Sequence, residues 1–298
     1  MQTPINNFQK NKDKKVAVLL AAYNGKKFIK EQLFSILNQR DVKIKIFISV
    51  DLSTDGTYEY CKNFEKENNS IVVLPYGETF NCAAKNFFNL INKVNFEEFD
   101  FLSLSDQDDI WDESKTCHAI NQMEKYNYDG FSSDVITFGI NHKQKYLKKS
   151  WPQKKYDFLY ESAGPGCTYV FKVEAFKKFK EFLIKNWNLV NDLAFHDWII
   201  YAYFRNANLK WKIDNQPLLK YRQHNNNEFG SNSNFDAYKK RFLLIKNKWY
   251  RNEVNKIKNL LNLYIKTDYW FRIKNFFELR RSPRDVIIFF LISFFGFF

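Results

Sequence analysis

Glycine and proline are scarce for a chain of 298 residues, 9 and 6 in number, which argues against a disordered or repetitive body. The four cysteines, Cys61, Cys82, Cys117 and Cys167, form no C-x-x-C pair, and no histidine stands at zinc-finger spacing from them. Neither a structural zinc site nor a disulfide framework is indicated, and a reducing compartment fits best. Residues 1–15 carry lysines but no apolar core, which excludes a secretory signal there, and residues 1–14 read as a flexible basic leader. The longest apolar tail, residues 286–298, would rise only about 20 Å as a helix, against a hydrocarbon core of about 30 Å. It does not span a membrane. Its aromatic content beside Arg280, Arg281 and Arg284 points either to a segment lying in a membrane interface or to a helix docked on the domain. Acidic residues are the minority sign, 33 against 46 Lys and Arg, leaving a net charge of +13 that favours a polyanionic partner. What is abundant is apolar, 45% of residues, with 32 Phe, enough to bury the core of one large α/β domain with or without an appendage.

The order of elements follows from the apolar pattern. Residues 16–22 form a continuous apolar run of strand length, as in a strand covered on both faces, and end in the turn at Tyr23 and Asn24. A helix over 26–39, with Ile29, Leu33, Ile36 and Leu37 on one face, leads to a strand at 44–50. The polar loop Asp51 to Thr57 and a helix over 58–66 follow, then a strand at 71–74, a helix over about 81–94 and a strand at 99–104. This alternation predicts a doubly wound α/β sheet whose ligands bind beyond the carboxyl ends of the strands, where the loops at 23–24, 51–55 and 106–109 meet. Further strands are expected at 134–140, 168–171, 210–213 and 218–221, and helices at 173–187 and 198–204. From residue 236 onward the reading is helical, with Val254, Ile257, Leu260, Leu261 and Tyr264 on one apolar face and Tyr269, Trp270, Ile273, Phe276 and Phe277 on a second.

The densest chemistry lies at Asp106-Gln107-Asp108-Asp109, between an apolar strand and Trp111. Three carboxylates within four positions repel one another unless a cation or a set of donors sits among them. Such oxygens suit hard ions such as Mg²⁺ or Mn²⁺. A calcium loop does not fit, because its glycine and closing glutamate are missing. The alternative is an acidic turn that caps the next helix through Asp109 or Asp112.

Taken in order, several segments resemble family 2 glycosyltransferases of the GT-A fold, especially bacterial enzymes that assemble surface polysaccharides, rhamnosyl- and galactosyltransferases among them. They are Ala21-Ala22-Tyr23-Asn24, Asp51-x-Ser53-x-Asp55-Gly-Thr57, Ala84-Lys85-Asn86, Asp106-Gln107-Asp108-Asp109-Ile-Trp111, Gly166-Cys167-Thr168, His196-Asp197-Trp198 and Tyr221-Arg222-Gln-His224. The resemblance covers about residues 15–230 and implies a GT-A domain over 15–235 with a helical extension over 236–298. It departs from the family at Val50, where many members carry a first Asp, and at Lys85, where Arg is usual.

The resemblance implies donor-nucleotide contacts from Ala22, Tyr23, Asn24, Asp51, Lys85, Asp106 and Gln107, with Asp51 accepting from a pyrimidine N–H. It implies Mn²⁺ or Mg²⁺ held by Asp108, Asp109 and His224, and diphosphate or acceptor contacts from Arg222, Gly166, Cys167, His196 and Trp198. Asp197 matches the base that deprotonates the acceptor hydroxyl, or it simply caps its helix. Together these predict inverting transfer from a UDP- or dTDP-linked sugar to a growing, lipid-linked glycan, on the cytoplasmic face of a bacterial membrane with the C-terminal tail as peripheral contact. A metal-dependent nucleotidyltransferase or hydrolase and a non-catalytic nucleotide-sugar-binding module are the alternatives. Nucleic-acid binding is not expected, since lysines are scattered over every helix and the crevice is acidic. His118 and His142 read as surface or packing residues.

Overall fold

The computed structural model describes residues 12–139, 143–224 and 247–298. The chain opens with β1 (Lys15–Ala22), α1 (Ile29–Leu37), β2 (Lys43–Val50), α2 (Thr57–Glu67), β3 (Ile71–Val73), α3 (Ala83–Lys93) and β4 (Phe101–Ser105). Then follow β5 (Ile110–Trp111), α4 (Lys115–Tyr126), β6 (Gly130–Ser133), β7 (Val135–Phe138) and β8 (Gln144–Leu147). The rest of the α/β body is β9 (Val170–Lys172), α5 (Val173–Lys185), α6 (Trp187–Val190), α7 (His196–Asn206), β10 (Trp211–Asp214) and β11 (Leu219–Arg222). The helices α8 (Trp249–Leu260), α9 (Tyr269–Lys274) and α10 (Pro283–Phe294) complete it.

Seven strands form one mixed sheet in the order β10-β6-β9-β4-β1-β2-β3, and β5-β11-β7-β8 form a second. Strand β1 lies between β2 and β4 and runs parallel to both, Val16 opposite Ile44 and Phe101. Its run is apolar throughout because both faces are covered. Ala17, Leu19 and Ala21 join the core built with α3, α5 and α7, whereas Val16, Val18, Leu20 and Ala22 pack with Ile29, Leu33 and Ile36 of α1 and Ile120 and Met123 of α4. Val254, Ile257 and Leu260 of α8, Phe289 of α10, and Phe298 enter the first of these cores, so the C-terminal helices share apolar packing with the sheet.

Several elements differ from the sequence expectation. The strand expected at 134–140 is β7, shorter than expected, and β6 just before it, in the other sheet, was not expected; the two are separated at Asp134. This fully buried carboxylate accepts from the Lys149 and Ser150 backbone N–H groups, the Ser150 hydroxyl and the Tyr146 hydroxyl, replacing ladder bonds where the chain changes sheets. Gly166–Thr168 is a 3₁₀ turn, which delays the next strand to Val170. The helix expected to reach 187 breaks after Lys185. Tyr264 is fully exposed beyond the end of α8, and Trp270 and Phe277 point outward, so the two expected apolar faces are only partly buried. The first eleven residues of the leader, His142, residues 225–227 of the polar loop and the helix start at 236–246 lie outside the described residues, as does the expected domain boundary at 235.

Candidate active site

Three loops meet at the carboxyl ends of β1, β2 and β4. In the first, Asn24 takes a left-handed backbone with φ of 46°. Its side-chain oxygen accepts from Thr54 N at 2.9 Å and its N–H donates to Ser53 Oγ at 3.0 Å. Gln107 ties this loop to the acidic one. Its Oε1 accepts from Tyr23 N and its Nε2 donates to Tyr23 O, each at 2.8 Å. A Cβ at Gly25 would stand 1.9 Å from Gln107 Oε1, so the close approach needs glycine there. Tyr23 keeps its ring more than half exposed beside the crevice.

In the second loop, Asp51 is buried and its carboxylate accepts from three backbone N–H groups, Leu52 at 2.7 Å, Phe80 at 2.8 Å and Asn81 at 3.0 Å. A carboxylate offers about four acceptor sites, so the expected contact with a pyrimidine N–H has about one left. Asp55 is not the N-cap of α2, a position that Gly56 takes. Burial pushes its carboxyl up, but the Thr57 hydroxyl and the Lys26 and Thr57 backbone N–H groups outweigh that and hold it below the usual range. Asn86 bridges the ends of β1 and β2 through the carbonyls of Ala22 and Ser49. Lys85, half-buried beside it, has no ion pair among the described residues.

The acidic loop is held from below. The amide of buried Gln32, oriented as its neighbours require, donates to the Asp109 carbonyl and accepts from Trp111 Nε1 at 3.1 Å. Gln39 donates to the Asp112 carbonyl at 2.6 Å and accepts from Thr116 N at 2.8 Å. Asp112 closes the turn before α4, accepting from Ser114 N at 2.9 Å, but the N-cap of that helix is Ser114, so neither Asp109 nor Asp112 caps it. Asp108 Oδ2 lies 2.5 Å from His224 Nε2, bringing together two of the three expected metal ligands. Asp109 is completely buried, with Oδ1 accepting from Arg222 N at 3.1 Å and Oδ2 without a hydrogen-bond partner. Burial, then the charges of Asp108 and Asp106, raise its carboxyl well above the usual range.

Carboxyl oxygens of Asp106 and Asp109 and the Cys167 sulfur lie within 4.8 Å of one another. The thiol is driven up by burial and by both carboxylates, so it stays neutral and is a poor ligand. Crowded carboxylates with an orphaned buried oxygen fit a hard divalent cation, with Asp106 added to the expected set. Lys115 was not expected here. Its ammonium is buried 3.5 Å from the Trp111 ring centroid and 3.3 Å from Ser103 Oγ, and burial lowers it to about 7 against the pull of Cys167 and Asp109. The guanidinium of Arg222 lies between Phe28 and Phe138, donates to the Asp108 carbonyl at 2.7 Å and pairs with Glu31, so in this structure it fixes the acidic loop instead of facing an open diphosphate site.

On the other side of the crevice α7 begins at His196. Asp197 sits in its first turn and accepts from Trp198 N at 2.8 Å. Burial raises its carboxyl to about 6, opposed by hydrogen bonds that include the Trp198 backbone N–H and by the charge of Lys149. That value suits a general base. The His196 ring stacks on Phe87 at 4.0 Å, burial lowers it to about 3, and its Nε2 has no hydrogen-bond partner, so it is a neutral packing group. A Cβ at Gly166 would come within 2.6 Å of that nitrogen and 3.2 Å of Asp197 Cβ, which explains the glycine without a ligand contact. Trp198 and Cys167 correct the expectation of diphosphate or acceptor contacts, since both are buried and the indole N–H donates to the Phe158 carbonyl at 3.0 Å.

Comparison with known proteins identifies the family and the fold. Residues 17–183 match the profile described as glycosyl transferase family 2. The chain is 41% identical over 285 residues to the dTDP-rhamnosyl transferase RfbG of Shigella flexneri, covering 90% of this chain and 96% of that one. Among solved structures it resembles S. aureus TarS, with TM-score 0.53 and 14% identity over 95% of this chain, which spans 44% of the TarS chain. The 1–349 fragment of TarS in complex with UDP-GlcNAc gives TM-score 0.53 and 16% identity, covering 95% of this chain and 80% of the fragment. Sheet order and likeness to TarS agree on the GT-A fold. Matched over more than half its length, the chain belongs to glycosyl transferase family 2 and is a glycosyltransferase.

Proposed function

We propose that this glycosyltransferase moves rhamnose from dTDP-rhamnose to a hydroxyl of a growing, lipid-linked surface glycan, inverting the anomeric carbon. The choice of sugar and nucleotide rests on the likeness to RfbG over nearly its whole length. The observation that carries the chemistry is a half-buried carboxyl, Asp197, raised to about 6 and packed against Gly166, whose neighbour Cys167 lies in the acidic cluster. The acceptor oxygen attacks the anomeric carbon as its proton passes to Asp197. The bond to the diphosphate breaks, and its electron pair leaves with dTDP. Asp106, Asp108 and Asp109, with His224, would hold Mn²⁺ or Mg²⁺, whose charge offsets that growing on the departing diphosphate. Tyr23, Asn24, Asp51 and Gln107 shape the nucleotide site, with Gln107 and Asp51 acting through the loops that they fasten. Lys85 contributes a point charge for a phosphate.

The acceptor's lipid fits the C-terminal surface. Val286, Phe289 and Ser293 face the domain, while Ile287, Leu291, Phe294, Phe295 and Phe297 remain exposed, with Phe277 and Trp270 beyond them. No helix among the described residues is long and apolar enough to cross a membrane. This face and the net charge of +13 support peripheral contact with an anionic bilayer on its cytoplasmic side. Calorimetric titration of dTDP and UDP, with and without Mn²⁺, tests the donor site. The reading expects dTDP to bind with Mn²⁺ and this binding to vanish in Asp108→Ala; a folded protein that binds neither nucleotide would overturn it.

A further inference from the structure

Strand β11 ends at Arg222, which its ladder with β7 pairs with Phe138. Gln223 N still donates to the Phe138 carbonyl at 2.7 Å, and His224 comes next. The His224 side chain, 14% exposed, meets Asp108 with Nε2 and lays its ring on Phe28, with centroids 5.1 Å apart and planes 23° from parallel. Phe28 also carries the Arg222 guanidinium 4.8 Å from its ring centroid, and that guanidinium donates to the Asp108 carbonyl at 2.7 Å. Two side chains that touch Asp108, one at its carboxyl and one at its carbonyl, therefore lean on a single ring that has no ligand atom of its own.

The backbone of Phe28 is fixed independently of β11. It stands just before α1 and donates its N–H to the Gly25 carbonyl at 2.9 Å, which also accepts from Ile29 N at 3.0 Å. Gly25 N in turn donates to Thr57 Oγ1 at 2.9 Å and Lys26 N to Asp55 Oδ2 at 3.0 Å, while Ile29 is completely buried. The half-buried Phe28 ring is thus held by the first two loops and presented to the end of β11.

Torsional preference fixes an imidazole plane weakly, because the χ2 wells of histidine are broad. A stacked neighbour removes that freedom, and offset stacking is a favoured arrangement of aromatic rings. Orientation matters for a metal ligand, whose supporting groups commonly change metal affinity by about 10- to 100-fold. Apolar packing alone would not need a ring, since an aliphatic side chain of similar volume would cover the same surface.

We propose that Phe28 is a positioning residue for the metal site: its ring fixes the imidazole plane of His224, so that Nε2 is aimed beside the Asp108 carboxylate where Mn²⁺ or Mg²⁺ would be held. This role rests on His224 being a ligand, as proposed above, and extends the metal site to a residue of α1's first turn.

The test is Mn²⁺ binding to the full-length protein without nucleotide, followed by loss of the free-ion signal in electron paramagnetic resonance. The proteins are wild type, Phe28→Leu, Phe28→Tyr, His224→Ala and the double variant of Phe28→Leu with His224→Ala. Phe28→Leu should weaken Mn²⁺ binding about tenfold, Phe28→Tyr should stay within about twofold of wild type, and His224→Ala should lose at least as much as Phe28→Leu. In the His224→Ala background, Phe28→Leu should add no further loss, because the ring it removes has no imidazole left to orient. A side chain that merely packs, or that acts through Arg222, would cost the same with or without His224. Unchanged affinity in Phe28→Leu beside a weakened His224→Ala, or losses that multiply in the double variant, overturns the role of Phe28. Should Phe28→Leu fail to fold, Phe28→Met decides by the same cycle. Wild-type Mn²⁺ affinity in His224→Ala sinks instead the reading of His224 as a ligand, and the role of Phe28 with it.

Discussion

Replacing Asp109 by Asn should stabilise the metal-free protein while damaging its function. The carboxyl is fully buried and lies with an oxygen of Asp106 inside a 4.8 Å cluster. Two charges at that separation repel by roughly 3 kcal/mol at an effective dielectric of about 20. Burial, Asp108 and Asp106 raise its carboxyl well above the usual value, so holding it protonated near neutral pH costs folding free energy. Asn keeps an oxygen to accept from Arg222 N, the bond that Oδ1 makes at 3.1 Å. The variant should therefore gain about 2–3 kcal/mol in EDTA at pH 7.5. The sign with pH is fixed by a folded carboxyl raised above its unfolded value: its stability is fully present below the unfolded value of 3.8 and is lost as pH rises toward the folded one. Wild type and variant should unfold alike near pH 4 and separate progressively above it. Saturating Mn²⁺ should stabilise wild type and leave the variant nearly unchanged. Urea unfolding across this range measures the effect. Equal or lower stability of the variant at pH 7.5 without metal would refute the electrostatic account of the acidic loop.

Three other perturbations have defined outcomes. Gly25→Ala places a methyl 1.9 Å from Gln107 Oε1, so the flexible amide moves and releases Tyr23; dTDP affinity by calorimetry should fall about tenfold with thermal stability nearly unchanged. Phe298→Ala empties a site formed by Tyr160, Tyr250, Phe289 and Arg272, and should lower unfolding free energy by about 3 kcal/mol in urea titration. Phe294→Ser with Phe295→Ser removes exposed rings, so co-sedimentation with phosphatidylglycerol vesicles should drop several-fold while the melting temperature stays within a few degrees.

Strand β1 was legible because a strand covered on both faces needs an unbroken apolar run, and β2 to β4 because short apolar stretches recur between helical patterns. The acidic loop was equally legible, since three crowded carboxylates demand an explanation from sequence alone. Its support was not. Gln32 and Gln39 read as ordinary helix residues, and only the tertiary fold brings them beneath residues 109–116, where Lys115 is buried against Trp111. Asp157 likewise carries no local signature, because its partners Tyr201, Arg205 and Arg281 stand 44, 48 and 124 positions away. Strand β6 was missed because Gly130-Phe131-Ser132-Ser133 holds a single large apolar residue, although all four are buried. The tail was apolar on every side in sequence. Which side docks depends on Arg272 and Phe298 meeting across the C-terminal helices, where Arg272 Nη2 donates to the Phe298 carbonyl at 3.2 Å.

The most direct measurement of the central claim is mass spectrometry of a lipid-linked saccharide extract incubated with the protein, Mn²⁺ and dTDP-rhamnose. Addition of one deoxyhexose to an acceptor, matched by released dTDP and lost in Asp197→Asn, is the predicted result. An unmodified acceptor pool with a folded, dTDP-binding protein, or undiminished transfer by Asp197→Asn, would contradict it.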